Sequence, residues 1–202
     1  ATLNQNLPEY VVLGVPTGDC CGGEWTHGAA YLGPQFAGVR LNVDPVNPLP
    51  FVSAKPFGVT AKEQEAQYGL LGRLNRLSGI GYPDDPALQA RIKSYELAYG
   101  MQTAVPEVMQ LERETEETKN LYGMDQEDTA AFGRNCLLAR RLVERGVRFV
   151  ELYAGSGSGW DAHVNVEENH GKWCRVSDKP IAGLLTDLKT RGMLKDTLVI
   201  FG

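Results

Sequence analysis

Val147-Arg148-Phe149-Val150-Glu151-Leu152-Tyr153 reads as a β-strand, and it runs into Ala154-Gly155-Ser156-Gly157-Ser158-Gly159 and then Trp160-Asp161-Ala162-His163. A helix is predicted from about Val166 to Arg191, with Gly192 as its stop, and Thr197-Leu198-Val199-Ile200-Phe201 reads as a buried strand. Strand, long helix, strand is a βαβ crossover, which almost always gives parallel, right-handed neighbours in one sheet. The expected class is therefore α/β with a parallel sheet. Trp160 to His163 then fall at the carboxyl edge of that sheet, where ligands normally sit. A chain that stops after a core strand also reads as part of a larger domain.

Upstream, Thr129 to Glu144 is predicted as a helix with Cys136, Leu137, Leu138 and Leu142 inward and Gly146 as its stop. The middle of the chain is helical as well. Thr60 with Glu63 makes a capping box, followed by Tyr68, Leu70, Leu71, Leu74 and Leu77 at helical spacing. Asp85 and Pro86 are an N-cap and a first-turn proline, leading a stripe of Leu88, Ile92, Tyr95 and Tyr99. A third, more polar helix is expected over Pro106 to Lys119. Near the start, Tyr10 to Val15 is a strand candidate entering the loop Pro16 to Gly23, and Gly33 to Gly58 reads as irregular structure with one edge strand. Three parts of one domain result: 1–59 with a strand and a Gly/Pro-rich region, 60–128 as a helical cap or insertion, and 129–202 as the βαβ segment.

Composition bounds the function. The chain has 202 residues, 20 Lys plus Arg against 25 Asp plus Glu, and a net charge of -5. That balance argues against a nucleic-acid partner, which calls for a basic surface. A hydrophobic content of 43% is that of a globular chain. No apolar run approaches the ~20 residues that span a bilayer. Four cysteines are too few for a disulfide scaffold. No signal peptide is visible from Ala1 onward.

The residues that point to chemistry are Asp161 and His163. At i and i+2 in an extended loop both side chains face the same way, with Cα atoms ~6.5–7 Å apart, close enough for an oxygen and a nitrogen to reach one divalent ion. Gly157, Ser158 and Trp160 are the candidate substrate contacts, since a Gly/Ser loop permits close approach. The pair also suits a plainer reading, with Asp161 capping a turn and His163 bonding the backbone. His170 could supply a third ligand or a hydrogen bond to one, or be a helix histidine; Asn165 and Glu168 have N-cap and N3 spacing just before it. Glu167 and Glu168 suit the first turn of a helix better than acid catalysis. A second cluster, Asp19-Cys20-Cys21-Gly22-Gly23-Glu24-Trp25-Thr26-His27, mixes ligand types, but a structural loop with free thiols is the simpler reading, and a thiol nucleophile at Cys20 or Cys21 has little to support it. Ser156 and Ser158 lack the strand-turn-helix elbow of a serine hydrolase, and no Gly-x-Gly-x-x-Gly turn marks a dinucleotide site.

Several longer words carry a resemblance: Gly133 to Val150 (GRNCLLARRLVERGVRFV), Trp160-Asp161-Ala162-His163, Glu167-Glu168-Asn169-His170-Gly171, Leu194 to Gly202, and the opening Asn4 to Leu13. Together they resemble DUF1501, a large bacterial family of unknown function, over nearly the whole chain. That family resembles the alkaline phosphatase and sulfatase superfamily. The resemblance implies a three-layer α/β sandwich of alkaline phosphatase type with a mostly helical insertion. It also implies a divalent metal ion (Zn, Ca or Mg) held in part by Asp161 and His163, a small anionic ester as substrate, and a periplasmic or envelope location. The activity implied is metal-assisted hydrolysis of phosphate or sulfate esters. The alternative is a non-catalytic envelope or assembly protein that keeps the fold with a degenerate metal site.

Overall fold

A computed structural model describes residues 6–14, 23–33, 36–43, 60–82, 85–155 and 159–202. Its sheet has three strands: β1 (Tyr10–Leu13), β2 (Val39–Leu41) and β3 (Phe149–Leu152), in the order β2-β1-β3. Both pairings are parallel, with Val11 opposite Val39 and Val150, and Leu13 opposite Leu41 and Leu152. Paired residues of a parallel sheet share a face. Val11, Leu13 and Leu41 therefore point into the core together, with Val39, Val150 and Leu152 packed beside them.

The helices are α1 (Ala61–Gly81), α2 (Pro86–Val108), α3 (Glu116–Leu121), α4 (Glu127–Glu144) and α5 (Val166–Thr190). On α4, Cys136, Leu137, Leu138 and Leu142 are fully buried, the stripe its periodicity predicts. Leu184 and Leu188 of α5 and Met101, Val105 and Val108 of α2 join the same cluster. The opposite face carries Tyr10, Val12, Arg40, Phe149 and Glu151 by register, and Phe149 there is 54% exposed.

The helix starts follow the signals in the sequence. Thr60 and Glu63 exchange capping-box bonds, the Thr60 N–H donating to Glu63 Oε2 at 2.8 Å and the Glu63 N–H to Thr60 Oγ1 at 3.3 Å. Asp85 Oδ1 accepts from the Leu88 N–H at 3.0 Å, with Pro86 in the first turn. Gly146 and Gly192 stand at φ of 90° and 73°, left-handed positions that terminate α4 and α5.

Three expectations are corrected. Thr197 to Phe201 is irregular, with Leu198, Ile200 and Phe201 each more than three-quarters exposed. A strand exists only against a neighbour that completes its ladder, and β1 rather than this segment is the neighbour of β3. The parallel sheet is thus built by strands far apart in sequence. The polar helix over Pro106 to Lys119 is two pieces, because α2 runs through Pro106 to Val108 and α3 starts afresh with Thr115 Oγ1 accepting from the Thr118 N–H at 3.2 Å. Arg141 closes the end of α2 by donating to the Val108 carbonyl at 2.7 Å and the Glu107 carbonyl at 3.1 Å. The helix that the leucine spacing predicts does form as α1, with Leu70, Leu71, Leu74 and Leu77 all exposed. Finally, Asn165 sits at φ 51° with no side-chain cap bond, so the box with Glu168 does not form; an N-cap needs extended backbone to aim its side chain at the first turn.

Between the ends of α4 and α5 lies a charged network. Arg140, 2% exposed, contacts Glu144 at 2.6 Å, Glu114 at 2.8 Å and Asp187 at 3.1 Å. Of these, the Glu144 contact is also a well-aligned hydrogen bond. Arg141 pairs with Glu114, Arg191 reaches both Asp187 and Glu144, and the Tyr122 hydroxyl donates to Asp187 at 2.9 Å. Burial pushes the Glu114 carboxyl up, but the hydrogen bond from Arg141 and the Arg140 guanidinium beside it outweigh that and hold the group below its ordinary 4.5. The folded state thus binds fewer protons at Glu114 than the unfolded chain. Its stabilisation is complete above pH 4.5 and lost as pH falls through the folded value. Urea midpoints should therefore drop as pH falls from about 5 to about 3. The gap between wild type and Glu114→Gln should narrow over that window; a constant gap would mean Glu114 does not titrate with folding.

Candidate functional site

The carboxyl ends of β1 and β3 lie close together. Gly14, at φ 94°, leaves so little room that a Cβ there would meet the Tyr153 carbonyl at 2.6 Å. The Tyr153 hydroxyl lies 2.9 Å from Thr26 Oγ1, which joins the short 3-10 helix Gly23–His27 to this edge. On the outward face of the sheet the Tyr10 hydroxyl donates to the Glu151 carboxylate, and burial followed by that carboxylate raises the Tyr10 phenol.

The loop after β3 is fastened by Trp160. Its indole N–H donates to the Ala154 carbonyl at 2.6 Å, and its ring sits 6.3 Å from that of Trp173 and 6.2 Å from that of His170. Gly155 allows this with a left-handed backbone at φ 111°, and a Cβ there would crowd the Trp160 indole nitrogen at 3.3 Å. His170 Nε2 bonds the Trp160 carbonyl at 2.9 Å, and Asn169 Nδ2 donates to the Gly159 carbonyl at 2.7 Å. Three groups of α5 thus hold the loop that leads to Asp161.

Asp161 Oδ1 and His163 Nε2 are 3.2 Å apart, and both side chains are well exposed. The structure brings this predicted pair together. It directs His170 Nε2 to the backbone instead, the arrangement of an orienting helix histidine. Among the described residues no group of three His, Cys, Asp or Glu side chains gathers as a metal site. Trp160 is a fastener of the loop, half-exposed beside the pair. Gly157 and Ser158, with Ser156, lie outside the described residues, as do Asp19, Cys20 and Cys21. Of the other cysteines, Cys136 is a buried free thiol pushed up to about 12 by burial, which leaves it unreactive. Cys174 is free and exposed.

A groove of about 410 Å3 begins one residue after His163, lined by Val164, Asn165, Glu168, Asn169, Lys172 and Arg175. The sequence reading passes over it. Its signal is the polar spacing 165, 168, 169, 172 and 175, one continuous helical face. A parallel α/β sheet whose described ligand-type residues follow a strand's carboxyl end is the class of structure defined here. The chain belongs to the family "Protein of unknown function (DUF1501)", whose sequence profile matches residues 1–202. No curated protein and no solved structure matches the chain.

Proposed function

We propose that this chain supplies two ligands of a divalent-metal site in a hydrolase of phosphate or sulfate esters. The observation that carries the reading is the pair Asp161 Oδ1 and His163 Nε2, 3.2 Å apart on an exposed loop past the carboxyl end of β3. Two donors each ~2.1 Å from a common ion and so spaced subtend roughly 100°, between the octahedral and tetrahedral angles. A carboxylate with an imidazole suits Zn better than Ca or Mg. When bound, the ion supplies Lewis-acid stabilisation of charge on the ester oxygens. Asp161 would contribute the anionic ligand and His163 a neutral nitrogen, while Trp160, His170 and Asn169 keep the loop in place.

The three-layer sandwich of alkaline phosphatase type belongs to the same proposal. It is supported by the outward sheet face, where half-exposed Phe149 leaves room for a second helical layer. An envelope location rests on the family resemblance alone. The second reading, a non-catalytic envelope protein with a degenerate site, is favoured by one observation: His170 Nε2 is committed to a carbonyl, so the pair stands without that third ligand.

Metal content decides between them. After equilibration with zinc and exhaustive dialysis, the protein should retain about one zinc per chain, and Asp161→Ala/His163→Ala should retain almost none. Equal zinc in the two proteins, or none in either, would overturn the hydrolase reading and leave the non-catalytic one.

A further inference from the structure

We propose that the groove along the first turns of α5 binds the oxyanion of a phosphorylated or sulfated sugar or polyol, with Lys172 and Arg175 as its cationic donors. The two side chains lie on the groove's wall together with Asn165, Asn169, Glu168 and Val164. Among the described residues neither cation has a carboxylate partner. Glu168 is four residues before Lys172 and Asp178 three after Arg175, yet no ion pair forms with either. Lys172 instead rests over the Trp173 ring at 4.8 Å, which leaves its ammonium hydrogens for a ligand. An arginine fork beside a lysine matches a tetrahedral oxyanion, the fork giving direction and the ammonium a point charge.

The remaining wall selects what accompanies the anion. Glu168 is an acceptor and would repel a bare polyanion, so the two cations and one carboxylate leave the groove singly positive. A carboxylate and two amides beside that charge suit hydroxyl groups, which both donate and accept. Asn169 gives one amide N–H to the Gly159 carbonyl, so its second N–H and its amide oxygen remain. The volume of about 410 Å3 accommodates one sugar ring with its ester. Val164, the residue after His163, is part of the groove's wall. For the fate of that ester the inference rests on the hydrolase reading; binding itself needs no metal.

The test uses the isotopically labelled full chain, with glucose 6-phosphate as probe. Saturable amide shift changes confined to Val164–Arg175 are expected, weaker changes with inorganic phosphate and none with glucose. Lys172→Ala/Arg175→Ala should weaken binding by about tenfold or more. Glucose 6-sulfate run alongside tells the two esters apart. Shifts that are absent or scattered outside the groove, or a double variant that binds within about twofold of wild type, would overturn the proposal; the shift map of the wild type decides alone should the variant not fold. Zinc retention, measured on the same samples, keeps the two readings separate. Groove binding without zinc retention sinks only the hydrolase, and zinc retention without groove binding sinks only this inference.

Discussion

Arg140→Ala should lower the unfolding free energy by about 3–5 kcal/mol, the usual result of removing one member of a buried ion network and leaving its partners unpaired. Arg140 is 2% exposed and lies between Glu114, Glu144 and Asp187, so its loss removes the one cation common to all three carboxylates. Arg141 still faces Glu114, and Arg191 still faces Asp187 and Glu144. Those two neighbours are each more exposed and cannot reach the central position, which is why the loss should sit within that range and not above it. For a domain of this size the midpoint of thermal unfolding would fall by roughly 10 °C. Arg145→Ala, which breaks a rim contact to Glu107 at 3.3 Å, should change stability by less than about 1 kcal/mol. Urea unfolding of the three proteins is the measurement. A loss below about 1 kcal/mol in Arg140→Ala would mean that Arg141 and Arg191 suffice to neutralise the cluster.

The position of this network separates stability from chemistry. The chain leaves α4 and enters β3 at Phe149, so the last turns of α4 stand at the amino edge of the sheet. α5 starts beyond the carboxyl end of β3 and returns alongside α4, which brings Asp187 and Arg191 to the amino edge as well. The Asp161 and His163 pair follows the opposite, carboxyl end of β3. Strand ends of that second kind are where α/β proteins bind ligands. The charges at the amino edge therefore read as a clamp between helices.

Local signals in the sequence were accurate where short-range chemistry decides. Thr60 with Glu63, Asp85 with Pro86, and the glycines at 146 and 192 act within one turn of their own position, and the structure reproduces each. The core face of α4 follows from spacing alone. What was not legible depended on distant partners. Thr197 to Phe201 has the composition of a strand, yet strand formation is decided by which backbone lies alongside, and composition does not carry that. The outward leucines of α1 are likewise a face without an address. At the candidate site the i, i+2 spacing foresaw that Asp161 and His163 meet, whereas the commitment of His170 to the Trp160 carbonyl could not be read, because it depends on how the loop folds over α5. Lys172 and Arg175 are not legible as a site in the sequence, because a helix face of mixed polarity usually means a solvated surface.

Gly133→Ala and Gly183→Ala should each destabilise the fold by several kcal/mol, although alanine is the better helix former by about 1 kcal/mol. A Cβ at position 133 would lie 2.2 Å from the Tyr122 carbonyl oxygen, and one at 183 would lie 2.4 Å from that of Leu121. Both obstacles are backbone atoms at the end of α3, so no rotamer change relieves them. The segment cannot shift freely either, since Tyr122 is fully buried and its hydroxyl is tied to Asp187. Together α4 and α5 close on this turn from two sides, and the missing side chains are what let them approach. Because both substitutions push on Tyr122, their combination should cost less than the two losses added. Gly69→Ala is the contrasting case: it lies within α1 with nothing within 4 Å of the added methyl, and it should stabilise by up to about 1 kcal/mol. Urea midpoints of the four variants test the reasoning directly. If Gly133→Ala or Gly183→Ala matched the Gly69→Ala gain, helix propensity rather than the close approach of α3, α4 and α5 would govern these positions.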